Sequence, residues 1–245
     1  MKIKIGKKII SDNKRCFIVA EISANHSGNF KKACSLITEA KKAGADAVKL
    51  QTYTPDTITF NSTNKDFLIK KNTPWKKQKT LWNLYNKAQT PREWHPKLFS
   101  LARKIKIEIF SSPFDETAID FLEKLGCPAY KIASQEINHI PLIAKAAKTG
   151  KPIILSTGLC SLKDINLAVR TIKKFKNNKI IILKCTSSYP SSANELNLLT
   201  LKDIKKRFKT ISGFSDHTID DTAALASVAL GGKVLEKHID LDQNK

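Results

Sequence analysis

Eight short apolar runs, each ending in polar residues, recur along the whole chain, and most are separated by a helix-like segment. They span residues 17–21, 47–51, 108–112, 129–134, 152–157, 180–185, 211–215 and 233–238. Short strands that alternate with helical segments are typical of βα units, and eight such units close into a (β/α)8 barrel of about 250 residues. The sequence therefore predicts an α/β protein, a TIM barrel, in which residues 1–245 form a single domain.

Local signals predict further elements of this barrel. Residues 1–14 predict a hairpin that plugs the barrel bottom, and helix starts are predicted at Asn29, Asp115 and Pro141. In a capping box, a hydroxyl residue precedes a carboxylate residue by three positions. Three capping boxes are predicted, at Thr90 with Glu93, Ser161 with Asp164 and Thr200 with Asp203.

The second and eighth units depart from the regular pattern. Residues 53–89 are inserted after the second strand, and their aromatic residues Trp75, Trp82 and Tyr85 either line a sugar site or pack an extra helix onto the barrel. Only residues 239–245 follow the eighth strand, too few for the eighth helix. We therefore expect either a chain truncated at its C-terminus or another segment that covers the seam between the last and first strands.

The formal net charge of +21 at pH 7 raises the question of a nucleic-acid partner. Only five of the 43 basic residues are arginines, and the lysines are scattered over the predicted helices without interleaved aromatic residues. Nucleic-acid sites usually concentrate their charge, so we expect a solvated lysine-rich surface and no nucleic-acid partner. A positive field would still attract an anionic substrate toward the barrel mouth.

The cysteines and the apolar runs indicate the compartment. The five cysteines contain no CxxC pair, which favours a reduced, intracellular protein. No apolar run approaches the roughly 20 residues needed to cross a bilayer, and residues 1–14 lack the apolar core of a signal peptide. We therefore expect a cytoplasmic protein with no membrane partner.

Two histidines at strand ends are candidate metal ligands, because catalytic residues of such barrels follow the carboxyl ends of the strands. His217 follows the seventh strand, and Glu236 and His238 share one face of the eighth because strand side chains alternate. Imidazoles from adjacent strand ends can converge on one ion, and nitrogen, carboxylate and water ligands suit Mn, Zn or Fe better than Mg. The alternative is a histidine that is only hydrogen-bonded within the barrel.

Lys49 and Lys131 end the second and fourth strands, where inward-facing lysines either bind anions or form Schiff bases. Hydroxyl groups follow further strands, at Ser112, Ser134, Ser156 and Ser215. Two cations and several hydroxyls favour a cradle for phosphate and carboxylate groups. Glu21 either assists water or a substrate hydroxyl or forms a salt bridge with Lys49.

Seven short motifs, taken in order, resemble those of the sialic acid synthase family over nearly the whole chain. They are AEISANH at 20–26, VKLQ at 48–51, FSSPF at 110–114, YKIAS at 130–134, LSTG at 155–158, SDHT at 215–218 and EKH at 236–238. Within that family, LWNLY at 81–85, TPREWH at 90–95 and KCTSSYP at 184–190 are most similar to pseudaminic acid synthases.

The resemblance implies a transferase that condenses phosphoenolpyruvate with an open-chain N-acetylated amino sugar and releases phosphate. In the pseudaminic branch the sugar is of the 6-deoxy-2,4-diacetamido-altrose type, and the product is the nonulosonic acid pseudaminic acid. His217 and His238 would hold a divalent metal that polarises the sugar aldehyde, with Mn²⁺ expected and Mg²⁺ or Co²⁺ as alternatives. The resemblance also implies a homodimer.

The resemblance further implies a role for each strand-end residue. Phosphoenolpyruvate would be bound by Lys49, Ser112, Lys131, Ser134, Ser156 and Ser215. The sugar would be lined by Gln51, Ser187, Tyr189 and Glu236. The catalytic residues would be Glu21, Lys131, His217 and Glu236.

Family members continue past the eighth strand with a helix and a small antifreeze-like domain that contributes an arginine to the partner subunit's sugar site. This sequence contains neither, so we expect a C-terminally truncated domain. Three alternatives stay open: an N-acetylneuraminate or legionaminate synthase, a fragment that binds metal and phosphoenolpyruvate without turnover, and a Schiff-base aldolase that uses Lys131 or Lys49.

Overall fold

The computed structural model describes residues 1–70, 73 and 75–241, and its main feature is a closed barrel of eight parallel strands. The barrel strands, in chain order, are β3 (Phe17–Glu21), β4 (Ala47–Thr52), β5 (Glu108–Pro113), β6 (Tyr130–Ile132), β7 (Ile153–Ser156), β8 (Ile180–Cys185), β9 (Ile211–Asp216) and β10 (Val234–His238). Strand β10 pairs with both β9 and β3, which closes the barrel. The predicted TIM barrel is therefore confirmed.

Helices lie between most of the strands. They are α1 (Phe30–Lys42), α2 (Pro55–Ile58), α3 (Leu81–Ala88), α4 (His95–Lys104), α5 (Glu116–Lys124), α6 (Ile140–Lys148), α7 (Leu162–Lys174), α8 (Thr200–Phe208) and α9 (Thr222–Ala229). Short 3₁₀ turns span Lys65–Phe67, Lys76–Gln78, Arg92–Trp94, Ser134–Glu136 and Ala193–Glu195. No helix in the described part of the chain is long and apolar enough to span a membrane.

Helix α7 shows why these segments are helical. Its buried residues Ile165, Val169 and Ile172 recur at the spacing of a single helix face, which packs against the barrel. The capping box at its start is confirmed, because the Ser161 hydroxyl accepts from the Asp164 amide and the Asp164 carboxylate accepts from the Ser161 amide at 2.8 Å. The reciprocal bonds satisfy backbone donors that the first helical turn leaves free.

The predicted helix starts at Asn29, Asp115 and Pro141 are also confirmed. The side chain of Asn29 caps α1, that of Asp115 caps α5, and Pro141 lies in the first turn of α6. Two of the predicted capping boxes are wrong. The Thr90 hydroxyl lies 3.2 Å from His26 Nε2, and α4 begins at His95 after a 3₁₀ turn.

The other incorrect capping box is at Thr200. Helix α8 begins at Thr200 itself, because Leu199 before it already has helical backbone angles, φ −59° and ψ −20°. Thr200 is therefore inside the helix, where its hydroxyl cannot act as the N-cap acceptor. A shift of one residue is enough to remove the predicted box.

The N-terminal hairpin closes the bottom of the barrel, as predicted. Strands β1 (Lys2–Ile5) and β2 (Lys8–Ser11) pair in antiparallel fashion and bury Ile3, Ile5 and Ile10 in the main core. The amide of Lys7 donates a hydrogen bond of 2.7 Å to Glu108, the first residue of β5. The hairpin thus seals the end of the barrel opposite the strand carboxyl ends and leaves the other end open for a ligand.

The seam between β10 and β3 has no helix over it in the described residues. Ile18 and Leu235 belong to a small apolar cluster beside α9, and Ile18 is only half-buried. The segment after β10 instead bonds to the loop after β3, since the Asn25 amide donates to the Ile239 carbonyl at 2.8 Å. This arrangement agrees with the short eighth unit that the sequence predicts.

Candidate active site

A cavity of about 360 Å³ opens at the carboxyl ends of the barrel strands, where enzymes of this fold have their active sites. It brings together every predicted site residue: Glu21, Lys49, Gln51, Ser112, Lys131, Ser134, Ser156, Ser187, Tyr189, Ser215, His217, Glu236 and His238. These side chains converge because they lie at or just after the carboxyl ends of the strands, and the parallel strands all point to the same end of the barrel.

A buried carboxylate lies at the centre of the cavity floor. Glu236 Oε1 accepts hydrogen bonds from Lys49 Nζ at 3.0 Å, Lys131 Nζ at 3.0 Å and Ser215 Oγ at 3.2 Å. Burial raises the pKa of Glu236, but the two ammonium groups outweigh it and hold the pKa well below its usual range. Glu236 is therefore the ionised partner of both lysines; the resemblance implies a catalytic role for it and a place on the sugar side.

Lys49 joins a second carboxylate to this network. Its Nζ lies 3.2 Å from Glu21 Oε2 and 3.4 Å from the Ser112 hydroxyl, so the salt bridge considered from the sequence is present. Gln51 Nε2 also donates to Glu21 Oε1 at 2.9 Å. Burial raises the pKa of Glu21, with Lys49 opposing the rise, which keeps Glu21 the more basic of the two buried carboxylates.

Hydroxyl groups with free bonding capacity surround the two lysines. The Ser156 hydroxyl is buried and has no hydrogen-bond partner among the described residues. The Ser134 hydroxyl accepts from the Gly158 amide at 2.9 Å. A buried hydroxyl without a partner is costly, so an anion that accepts from Ser156 would satisfy it.

The two predicted imidazoles lie side by side at the cavity rim. His217 Nδ1 is 2.6 Å from the Thr186 carbonyl and therefore carries the hydrogen, which leaves Nε2 as the acceptor atom of the ring. The Tyr189 hydroxyl donates to Nε2 at 2.9 Å, and its ring stacks on His217 at 4.0 Å. The centroids of His217 and His238 are 5.7 Å apart.

This pair of imidazoles fits a divalent metal. Bonds of about 2.1 Å from two rings to one ion are compatible with the separation of 5.7 Å between the centroids. The hydrogen bond from His217 Nδ1 to the Thr186 carbonyl is the kind of contact that orients a metal-binding histidine. No group of three His, Cys, Asp or Glu side chains suited to a metal exists in the described residues, so further ligands would come from water or substrate.

The cavity also contains residues to which sequence reasoning gave no role, although it considered Tyr85 as a residue that lines a sugar site or packs an extra helix. They are Tyr53, Ile58, Tyr85, Phe114, Ala133, Gln135, Glu136 and Cys185. Glu136 Oε2 is buried without a partner, and burial raises the pKa of Glu136 to about 7. Glu136 was identifiable in principle, because it comes two residues after Ser134 at a strand end.

Cys185 is the last residue of β8, and its Sγ lies 3.9 Å from His217 Nδ1. Burial raises the pKa of Cys185, but the hydrogen bond with His217 and the charge of Lys131 lower it to about 7. The sequence pattern indicated only an unpaired thiol here, because the contact with His217 joins two strands.

Two further strand-end residues face away from the cavity. His26 is fully buried, bonds to Thr90 and packs edge-on against Trp94 at 5.5 Å, and burial lowers its pKa. Asn25 bonds to the carbonyl of Ile239. Both residues therefore stabilise the loop after β3.

The fold and the site together define a barrel enzyme whose cavity has two buried lysines at its floor and two imidazoles at its rim. The chain belongs to the NeuB family, whose profile matches residues 36–245. It is 44% identical over 232 residues to the pseudaminic acid synthase of Campylobacter jejuni strain 81-176, an alignment that covers 95% of this chain and 67% of that protein.

Two other similar proteins support the assignment of this chain to the NeuB family. The N,N'-diacetyllegionaminic acid synthase of Legionella pneumophila is 35% identical over 98% of this chain and 68% of its own length. The crystal structure of the N-acetylneuraminic acid synthetase of Leptospira borgpetersenii superposes with a TM-score of 0.88 at 32% identity, over 99% of this chain and 79% of that one. The chain thus spans about two thirds of the length of these curated relatives.

Proposed function

We propose that this protein condenses phosphoenolpyruvate with a sugar of the 6-deoxy-2,4-diacetamido-altrose type to form pseudaminic acid and phosphate. The observation that carries the proposal is the pairing, in one cavity, of the Lys49, Lys131 and Glu236 cluster with the imidazoles of His217 and His238. The identity of 44% to a pseudaminic acid synthase favours this sugar over that of the legionaminic and neuraminic synthases.

The buried cluster would bind phosphoenolpyruvate. Lys49 and Lys131 would pair with its phosphate and carboxylate groups, because ammonium groups out of bulk water attract anions strongly. The hydroxyls of Ser112, Ser134, Ser156 and Ser215 would donate further hydrogen bonds. Glu236 would keep both lysines charged and correctly placed before the anion arrives.

The sugar would bind at the rim, with its aldehyde beside the two imidazoles. His217 and His238 would hold the divalent ion, Mn²⁺ in our proposal, which when bound would supply Lewis-acid polarisation of the aldehyde oxygen. Burial, and then the neighbouring His217 and Lys49, lower the pKa of His238, which favours the neutral ring that binds metals. Gln51, Ser187 and Tyr189 would bond to the sugar hydroxyls.

The reaction forms one carbon–carbon bond and breaks one bond to phosphate. The phosphoenolpyruvate methylene carbon attacks the aldehyde carbon, and the aldehyde oxygen takes a proton to become a hydroxyl. Water then adds to the carbon that bears the phosphate, and Glu21 takes the proton that the water loses. The carbon–oxygen bond to phosphate then breaks, the added hydroxyl gives its proton to the departing phosphate, and the keto acid remains. The proton taken by the aldehyde oxygen is balanced by the one that Glu21 receives from water. The raised pKa of Glu21 suits it to accept this proton.

Phosphate release from phosphoenolpyruvate in the presence of Mn²⁺ tests the proposal. We expect release with the diacetamido-altrose, little with N-acetylmannosamine, and a loss of about a hundredfold or more in His217→Ala. Release that requires N-acetylmannosamine would move the protein to the neuraminate branch. A folded protein that binds Mn²⁺ and releases no phosphate with either sugar would refute the proposed activity.

A Schiff-base aldolase is the second candidate, since burial lowers the pKa of Lys131 and a nucleophilic amine must be neutral. Its contact with Glu236 at 3.0 Å favours the charged amine instead. Borohydride reduction in the presence of a keto acid separates the two functions. A covalent adduct on Lys131 or Lys49 would support the aldolase, and a synthase forms none.

The remaining parts of the proposal concern organisation and location. We propose that residues 1–245 fold as one domain that pairs as a homodimer in the cytoplasm. All five cysteines are free thiols that form no disulfide in the structure, which favours a reducing compartment.

A further inference from the structure

Three aromatic rings form one side of the cavity mouth, and we call Tyr53, Tyr85 and Phe114 the aromatic wall. The Tyr53 ring meets Tyr85 edge-on at 5.9 Å and Phe114 edge-on at 5.3 Å. Tyr53 is only 3% exposed, so it anchors the other two rings. Ile58, at the end of α2, extends this apolar surface along the cavity. The inserted segment after β4 supplies both tyrosines and Ile58.

The wall also presents polar atoms that have no partner. Neither the Tyr53 nor the Tyr85 hydroxyl has a hydrogen bond to another described residue. Glu136 Oε2 is buried and also lacks a partner in the described part of the chain. Tyr85 and Glu136 line the same cavity, and burial, followed by the charge of Glu136, raises the pKa of Tyr85.

The order of the strands places the wall across the cavity from the imidazoles. Tyr53, Phe114 and Glu136 follow the adjacent strands β4, β5 and β6. In a closed barrel of eight strands, β9 is the strand opposite β5, and His217 follows β9. A substrate whose aldehyde lies at the imidazoles therefore extends its far end toward the wall.

The chemistry of the wall indicates which group it accepts. An apolar surface beside a carboxyl oxygen suits a ligand group that has a methyl next to an N–H donor. An acetamido group has this combination, whereas a hydroxyl group has the donor but no methyl. A buried carboxyl oxygen of Glu136 without a hydrogen bond costs free energy. A ligand group that donates a hydrogen bond to it therefore binds more tightly and is selected over groups that cannot donate.

We propose that the aromatic wall and Glu136 bind the acetamido group of the sugar that is furthest from its aldehyde. The acetyl methyl packs on Tyr85 and Phe114, and the amide N–H donates to Glu136. This inference rests on the proposed synthase function and adds a site that selects a second acetamido group. Phosphoenolpyruvate, held at the lysines below, makes no use of the wall.

Competition between two sugars tests the subsite. We compare kcat/KM for the 2,4-diacetamido-altrose and for its 4-hydroxy analogue, at saturating phosphoenolpyruvate and Mn²⁺. The wild-type protein should prefer the diacetamido sugar by about a hundredfold, the range expected when a site is built around a hydrogen-bonding group and a methyl. In Tyr85→Ala and Glu136→Ala this preference should fall to below about tenfold.

Matched variants distinguish a loss of the subsite from a general loss of activity. Tyr85→Phe keeps the ring and should keep most of the preference. Lys87→Ala alters an exposed residue of the same helix, α3, and should leave all constants unchanged. The KM for phosphoenolpyruvate should not change in any variant. An unchanged sugar preference in both alanine variants, or an equal rise in both KM values, would overturn the proposal.

A binding experiment makes the result independent of turnover. In saturation-transfer NMR with the diacetamido sugar, the two acetyl methyl signals should both receive magnetisation from the wild-type protein, and one should weaken in Tyr85→Ala. If no phosphate is released but this selective loss occurs, the proposed reaction fails and the subsite stands. If phosphate is released normally and neither methyl signal responds to Tyr85→Ala, the subsite fails and the reaction stands.

Discussion

Glu236 provides the sharpest test of how the cavity floor is held together. Its side chain is buried and accepts from Lys49, Lys131 and Ser215. Replacement by Gln keeps the shape and one carbonyl oxygen but removes the charge that balances Lys131. Lys49 keeps its contact of 3.2 Å with Glu21. The variant therefore leaves one buried ammonium group without a counter-charge.

The structure sets the size of the expected loss in the free energy of unfolding. Breaking a buried ion pair costs about 3 to 5 kcal/mol, and the remaining amide oxygen and Glu21 place the expected loss for Glu236→Gln near the lower end, at about 3 kcal/mol. For a chain of this length that loss lowers the Tm by about 6–12 °C. The control is Glu39→Gln, which removes an exposed partner of Lys42 and should cost less than about 1 kcal/mol.

Phosphoenolpyruvate should reverse part of this loss. In the variant the lysines lack their internal anion, so an added anion binds more tightly and stabilises the folded state through mass action. Thermal unfolding with and without saturating phosphoenolpyruvate measures this directly, and the rise in Tm should be larger for Glu236→Gln than for the wild type. Equal stability without ligand, or a smaller ligand-induced rise in the variant, would refute the reasoning.

Two further predictions concern the metal site and the pH dependence of stability. Lys237 Nζ donates to Asp216 at 2.7 Å and to the Thr218 carbonyl at 2.8 Å, the two residues on either side of His217. Lys237→Met should therefore weaken Mn²⁺ binding about tenfold and leave the affinity for phosphoenolpyruvate unchanged, as measured by calorimetry. Equal weakening of both affinities would contradict this prediction. Burial lowers the pKa of His95 to about 4 from its usual 6.5, so its neutral form contributes about 3 kcal/mol of stability that is present above pH 6.5 and lost as the pH falls toward 4. About 2 kcal/mol of this stability is lost between pH 7 and pH 5. Urea unfolding at these two pH values should show a loss of that size in the wild type and a smaller one in His95→Gln, and equal losses would rule out His95 as the cause.

The sequence predicted the barrel and the positions of its strands closely. The runs at 17–21 and 180–185 match β3 and β8 residue for residue, and the other strands begin or end within about two residues of their predicted bounds. The prediction succeeds because strand periodicity, caps and turn glycines are local. The failure at Thr90 has the opposite cause, since its hydroxyl bonds to His26, 64 positions away in the chain.

The polar residues at the strand ends of the cavity were also readable from the sequence, because parallel strands bring their carboxyl ends to one place whatever their order. Other lining residues, such as Tyr53, Ile58 and Glu136, were not identified. The contacts within the cavity were not readable. Glu236 pairs with Lys49 across 187 positions and with Lys131 across 105, and the aromatic wall joins an insertion to the ends of β4 and β5. Barrel closure decides which side chains face each other, and burial then decides their charge states, because desolvation and neighbouring charges act through space and not along the chain.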